Sequence, residues 1–348
     1  MEQAITVILT TLFYTQTNAL VTRETLLKSG KLQFECTELL VLNGVYAFKE
    51  KNAILNGIPA DIRIHWKTDS IYFTLVSSEM KMSLQTLRSS GDIETIKVAG
   101  LGQTSTVDNL NDIVYLGTDN GVYKYKEDGS VEHYTALGED VMYIAVNNDG
   151  SAMYIATWPQ NRVYKINNDS QSLERFMYIT NGHGLTIDTR NNMFFVDVAT
   201  ETLYVLKNGE HVPAKLKGLR DDKMINVFVS RSDVVYAMDD NSNLYVIDIE
   251  NEVARYLRTF NISGVNTFGL DSSDNVFIGC KGVIYKFYMY EKNPCNVIGT
   301  THSRLNPGPK HQRRRRQKKD RKTTTTTTTT TEIYEDDDDE DDDDEEDE

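Results

Sequence analysis

The sequence predicts an all-β fold: a six-bladed β-propeller followed by a disordered C-terminal tail. Three observations carry this prediction. The chain repeats itself about every 40 residues, a second aromatic series runs in register with the first, and apolar and polar residues alternate with period two. The first series is Tyr72, Tyr115, Tyr154, Phe194, Tyr236 and Phe277, with steps of 43, 39, 40, 42 and 41 residues. The second is Tyr123, Tyr164, Tyr204, Tyr245 and Tyr285, with steps of 41, 40, 41 and 40. Turn clusters such as Asn147-Asn-Asp-Gly, Asp188-Thr-Arg-Asn-Asn and Asp271-Ser-Ser-Asp-Asn separate β-branched and aromatic runs. Three or four strands fit each unit, and the connections are too short for crossover helices.

From the N-terminus, residues 1–19 read as a signal peptide. Ala4 to Tyr14 is an apolar run of signal-core length, too short to span a bilayer, and Asn18-Ala19 offers a small residue for cleavage. Glu2 and the lack of Lys or Arg before the run argue the other way, towards a buried first strand. No later run reaches membrane-helix length. Residues 20–305 form the propeller, whose ring must be closed between its first and last blades. Gly44-Val-Tyr-Ala-Phe-Lys-Glu repeats the pattern of Gly121-Val-Tyr-Lys-Tyr-Lys-Glu but precedes the first complete unit, so it is expected beside the C-terminal strand.

The three cysteines show no CxxC spacing and are too few for a disulfide scaffold. Cys36 and Cys295 both flank the expected seam and are read as a disulfide; Cys280 is read as a small buried residue. The alternative is three free thiols in a reducing compartment. Asn168-Asp-Ser and Asn261-Ile-Ser are N-glycosylation sequons.

Residues 306–348 cannot form a packed core. Lys310 to Lys322 holds nine bases and one acid, a block of nine threonines runs from Thr323 to Thr331, and Thr323 to Glu348 holds fifteen acids and no base. The whole chain carries −15, so the 309 residues before Lys310 keep 28 bases and 36 acids. A mildly acidic body has no charge excess to drive phosphate-backbone binding, and no nucleic-acid partner is expected. The tail reads first as a solubilising segment. In a secreted protein, Tyr334 in its acidic setting resembles a sulfation acceptor, the threonines an O-glycosylated stalk, and Arg313 to Arg316 a processing site.

Propeller ligands meet the loops at one mouth of the central channel. The segments leading into the inner strands contribute Asp61, Ser105, Asp140, His183, Lys223 and Asn266. The hairpins between second and third strands contribute Asp119 and Asn120, Trp158 to Asn161, Asp197 to Thr200, Asp239 to Asn241, and Lys281. Among these, Trp158 offers a flat face for stacking. His183 lies between glycines that would let a ligand approach. Lys223 and Lys281 could meet carboxylates. A core role for Trp158 and a turn role for His183 are the ordinary readings.

No catalytic motif stands out: there is no Gly-x-Ser-x-Gly, His-Glu-x-x-His or Gly-x-Gly-x-x-Gly after a strand. Gly184-Leu-Thr-Ile-Asp188 and Gly269-Leu-Asp271 resemble the inner strands of calcium-dependent lactonases of the regucalcin and gluconolactonase type. An oxygen-only Ca2+ site could be drawn from the mouth residues, although that family's early glutamate and Pro-Asn-Gly signatures are missing.

The body from about Cys36 to Cys295 also resembles the insect ommochrome-binding protein family. The residues that carry this are Gly44-Val-Tyr near Cys36, Asp112-Ile-Val-Tyr-Leu-Gly-Thr-Asp-Asn-Gly-Val-Tyr-Lys-Tyr, and Asp274-Asn-Val-Phe-Ile-Gly-Cys-Lys-Gly-Val-Ile-Tyr-Lys-Phe. The resemblance implies a secreted haemolymph carrier of a planar aromatic pigment, with no catalysis and no cofactor, and a monomer is expected. On that reading Trp158, His183, Lys223 and Lys281 would contact the ligand. A lactonase-like hydrolase and a protein-interaction propeller with an electrostatic tail are the alternatives.

Overall fold

The computed structural model describes residues 36–167, 172–220 and 223–295. The expected signal peptide, the Asn168 sequon and the tail with Tyr334 lie outside the described residues. Within them the chain is a six-bladed β-propeller. A 3-10 turn at Cys36–Glu38 leads to β1 (Leu40–Leu42) and β2 (Val45–Ile54). Blade one is β3 (Ile58–His65), β4 (Ser70–Val76), β5 (Met82–Leu87) and β6 (Ile93–Thr95). Blade two is β7 (Gly102–Asp108), β8 (Ile113–Thr118), β9 (Gly121–Tyr125) and β10 (Val131–Thr135). Blade three is β11 (Val141–Val146), β12 (Met153–Thr157), β13 (Arg162–Ile166) and β14 (Leu173–Phe176). Blade four is β15 (Gly182–Ile187), β16 (Met193–Asp197), β17 (Thr202–Leu206) and β18 (Ala214–Lys215). Blade five is β19 (Met224–Val229), β20 (Val235–Asp239), β21 (Asn243–Asp248) and β22 (Val253–Thr259). Blade six begins with β23 (Val265–Leu270), β24 (Val276–Cys280) and β25 (Val283–Tyr290).

The first aromatic series falls on the second strand of every blade, and the second series on the third strand of blades two to six. Blade six is completed by the N-terminal segment. β2 pairs antiparallel with β25, from Tyr46 against Tyr290 to Ile54 against Val283, and β1 adds a fifth strand outside it. The seam is therefore made of the first and last strands, as Gly44-Val-Tyr indicates. Cys36 and Cys295 form a disulfide across it, with Cα atoms 5.9 Å apart and a sequence separation of 259. Cys280 is buried and unbonded to sulfur.

The core is divided rather than single. Six apolar clusters lie between neighbouring blades, the last joining Phe277 and Ile284 of blade six to Ile62, Ile64 and Phe73 of blade one. Blades approach most closely beside the inner strands. A Cβ at Gly117 would overlap the methyl of Thr104 and crowd the carbonyl of Val141, and Gly279 faces Thr267 and Pro59 in the same way. At the end away from the mouth, Asp188 accepts the amide and side-chain N–H groups of Asn192 at 2.8 Å each. Asp271 holds Asn275 alike at 2.9 Å. These side-chain bonds satisfy the turn backbone that joins first and second strands.

Candidate ligand site at the channel mouth

All six inner strands carry a register shift near their first residues: at Ala60/Arg63, Gly102/Thr104, Val141/Tyr143, His183/Thr186, Met224/Asn226 and Val265/Thr267. A bulge kinks its strand and re-aims side chains. Asp61 and Gly184 take left-handed φ values of 49° and 62° within two of these shifts. Bulged strand starts surround a cavity of about 490 Å³ at the channel mouth, within the range of small-molecule sites.

Met82, Met142, Met224 and Ile225 give the cavity apolar walls, and Asp61, Tyr143, His183, Lys223, Asn226 and Asp240 give it polar groups. The Tyr143 and His183 rings lie 6.0 Å apart, tilted by 36°. Burial, reinforced by the Asp61 charge, pushes the Tyr143 hydroxyl up to about 12, so it stays a protonated donor at neutral pH. Burial and then the Lys223 charge lower the His183 pKa, against smaller opposing pulls from Glu201 and Asp197. The imidazole is accordingly neutral, with one donor and one acceptor nitrogen.

The charged groups are largely paired within the protein. Asp61 Oδ1 meets Arg63 at 2.9 Å, while its other oxygen accepts from the Thr104 hydroxyl and from the Ser105 amide at 3.4 Å. Lys223 is bonded to Glu201. Asp240 forms no ion pair among the described residues, and its Oδ1 is buried without a hydrogen-bond partner. Its backbone is fixed by an amide bond to the Lys223 carbonyl at 3.0 Å.

His183 and Lys223, anticipated from the sequence, therefore share this cavity, together with Asp61 and Asn266. Trp158 and Lys281 do not line it. The Trp158 side chain is 53% exposed in the β12–β13 hairpin, its amide bonded to the Asp140 carbonyl at 2.8 Å. Lys281 turns back over Gly264 towards the Ser263 hydroxyl, 3.2 Å away. The aromatic face in the cavity belongs instead to Tyr143. Asn261 is exposed, as glycosylation of its sequon requires. Sequence reading missed Tyr143, Asn226 and Arg63. A signal exists for the first two: Asp61, Thr104, Tyr143, Gly184, Asn226 and Thr267 each stand ten or eleven residues before a first-series aromatic.

The opposite end of the channel encloses only about 40 Å³, beside Arg63, Trp66, Asn109 and Asn148. The Trp66 indole N–H donates to the Leu270 carbonyl at 3.4 Å, and the Asn148 amide donates to the Ser230 carbonyl at 3.0 Å. Such a space admits a water or two but not a ligand.

A divalent cation does not fit the residues at the mouth. No group of three or more His, Cys, Asp or Glu among the described residues is arranged to hold one. The Asp61 carboxylate is already opposed by a guanidinium, whereas calcium needs six to eight oxygens, several of them anionic.

No family model matches the chain, and no curated protein sequence does. Solved structures do resemble it. A gluconolactonase from Xanthomonas campestris aligns with a TM-score of 0.57 and 10% identity over 70% of this chain and 89% of its own. A protein described as a putative gluconolactonase gives 0.56 and 9% over 73% and 94%. A luciferin-regenerating enzyme gives 0.55 and 10% over 70% and 95%. At these identities the likeness establishes the shared propeller fold and nothing further. No helix among the described residues is long and apolar enough to cross a membrane.

Proposed function

We propose that the protein binds a small organic ligand with a planar, largely apolar body in the mouth cavity, without a resident metal and without turning it over. The observation that carries this reading is the cavity itself. About 490 Å³ is bounded by three methionines and Tyr143, with neutral His183, Lys223 and Asn226 available for polar groups of the ligand. Flexible methionine walls suit an irregular aromatic outline. The narrower form of the reading, an ommochrome-type pigment carried in an extracellular fluid, is supported by the sequence resemblance. The Cys36–Cys295 disulfide supports an oxidising compartment.

The second reading, a lactonase-like hydrolase, is favoured by the fold likeness to gluconolactonases and the luciferin-regenerating enzyme. The Asp61–Arg63 pair weighs against its calcium-dependent form. One preparation separates the two. Protein secreted from insect cells and purified without added ligand is examined by absorbance from about 300 to 600 nm, by mass spectrometry of extracts, and for lactone hydrolysis with and without calcium. Binding predicts a co-purifying aromatic compound, its loss in Tyr143→Ala, and no turnover. Calcium-dependent hydrolysis would establish the hydrolase instead.

A further inference from the structure

We propose that the mouth cavity selects ligands bearing a protonated amine, and that Asp240 receives it. The inference rests on the reading of the cavity as a ligand site and specifies which ligands it takes. Three residues with full formal charges line the cavity: Asp61, Lys223 and Asp240. Two are compensated inside the protein, Asp61 by Arg63 at 2.9 Å and Lys223 by Glu201. His183 adds no charge, because burial and Lys223 hold it neutral. Asp240 is left as the one uncompensated charge among the described lining residues. The formal charges of the lining residues therefore sum to minus one.

Its Oδ1 is buried and has no donor within the protein. A carboxylate left with neither counter-charge nor full hydrogen bonding is costly inside a protein, and an ammonium bound in the cavity beside it offsets that charge. The Asp240 backbone is held in place, its amide donating to the Lys223 carbonyl at 3.0 Å and its carbonyl accepting from the Val265 amide. Opposite chemistry is present on the same walls: the protonated Tyr143 hydroxyl is a donor suited to a carbonyl or carboxylate. A ligand with an amine at one end, an apolar planar body and an acceptor elsewhere would meet all three kinds of wall.

Three indoles that share one ring isolate the amine: tryptamine carries it alone, tryptophan carries it with a carboxylate, and indole-3-propionate carries the carboxylate alone. Each is titrated calorimetrically into the full-length protein and into Asp240→Asn at constant ionic strength. The wild type should bind tryptophan and tryptamine at least tenfold more tightly than indole-3-propionate. Asp240→Asn should erase that preference by weakening tryptophan and tryptamine at least several-fold, while indole-3-propionate should bind it no more weakly than the wild type. The acidic tail is common to both proteins, so the difference between them reports the cavity. Equal binding of all three by the wild type overturns the inference and leaves the ligand site standing, as does a preference that persists in Asp240→Asn. Failure of all three to bind overturns the planar-ligand reading of the cavity, and the amine inference with it.

Discussion

Asp61 and Arg63 form an ion pair at 2.9 Å across a single residue of the innermost strand of blade one, with side chains only 12% and 10% exposed. The register shift between Ala60 and Arg63 spans the pair, and Asp61 takes positive φ within it.

Replacing Arg63 with Met should expose what the guanidinium does. Breaking one side of a buried pair leaves an uncompensated charge and costs about 3–5 kcal/mol. The melting temperature should fall by several degrees, and adding Asp61→Asn to Arg63→Met should recover part of the loss by removing the unpaired carboxylate charge. Thermal melts of the wild type, the single variant and the double variant decide the matter, and a double variant no more stable than Arg63→Met would sink the argument.

The seam disulfide makes a separate prediction. Its loop of 259 residues lies at the long end of the chain-entropy relation, which gives about 4–5 kcal/mol. A Cys36→Ala, Cys295→Ala double variant should unfold at a clearly lower urea midpoint than the oxidised wild type, and dithiothreitol should bring the wild type down to meet it. Cys280 is buried and its thiol pKa is raised by burial, so it should label slowly until the protein unfolds.

The ring was legible because each blade must repeat the same burial problem, so Tyr72 to Phe277 recur at nearly constant spacing. The closing strand was legible because Val45–Ile54 has to imitate a third-strand neighbour. The mouth was only half legible. His183 and Lys223 announce themselves by residue type, whereas Tyr143 and Asn226 look like ordinary strand residues until the bulges turn them into the channel. Trp158 is placed differently: a large aromatic in a hairpin suggests a platform, and β12 and β13 carry that hairpin outside the lining of this cavity. Arg63 and Asp61 are two residues apart on one strand, the spacing that puts both on one face, and the sequence reading did not use it.

Trp158 offers a spectroscopic check of that placement. The protein has two tryptophans. Trp158 is 53% exposed, while Trp66 is partly buried in the blade-one cluster at the far end of the channel. Acrylamide should quench most of the Trp158 emission, and a ligand in the mouth cavity should leave that quenching nearly unchanged. Trp158→Ala should shift the melting temperature by no more than about a degree, as expected of a surface change, and should alter ligand affinity less than twofold. A tenfold loss of affinity would return Trp158 to the site.

The pH dependence of stability follows from His183. Its folded pKa lies below the ordinary value of 6.5, chiefly through burial and then through Lys223. The unfolded chain therefore binds a proton at a higher pH than the folded one. Above pH 6.5 both states are neutral at this position and the contribution is level. As the pH falls below 6.5 towards the folded value, the unfolded state gains a proton that the folded state refuses, and stability declines. The decline for one group is at most about 1.4 kcal/mol per pH unit. His65, also lowered mainly by burial, acts in the same direction, with Asp112 opposing it. His183→Gln should remove one of the two contributions, so its urea-unfolding free energy should fall less steeply than that of the wild type between pH 6.5 and 5. Using the difference between the two proteins cancels the carboxylates, among which Asp69 and Asp274 are raised by burial and run the other way. Parallel curves for the two proteins would mean that His183 is protonated alike in the folded and unfolded states, and its place as a neutral wall of the cavity would have to be given up.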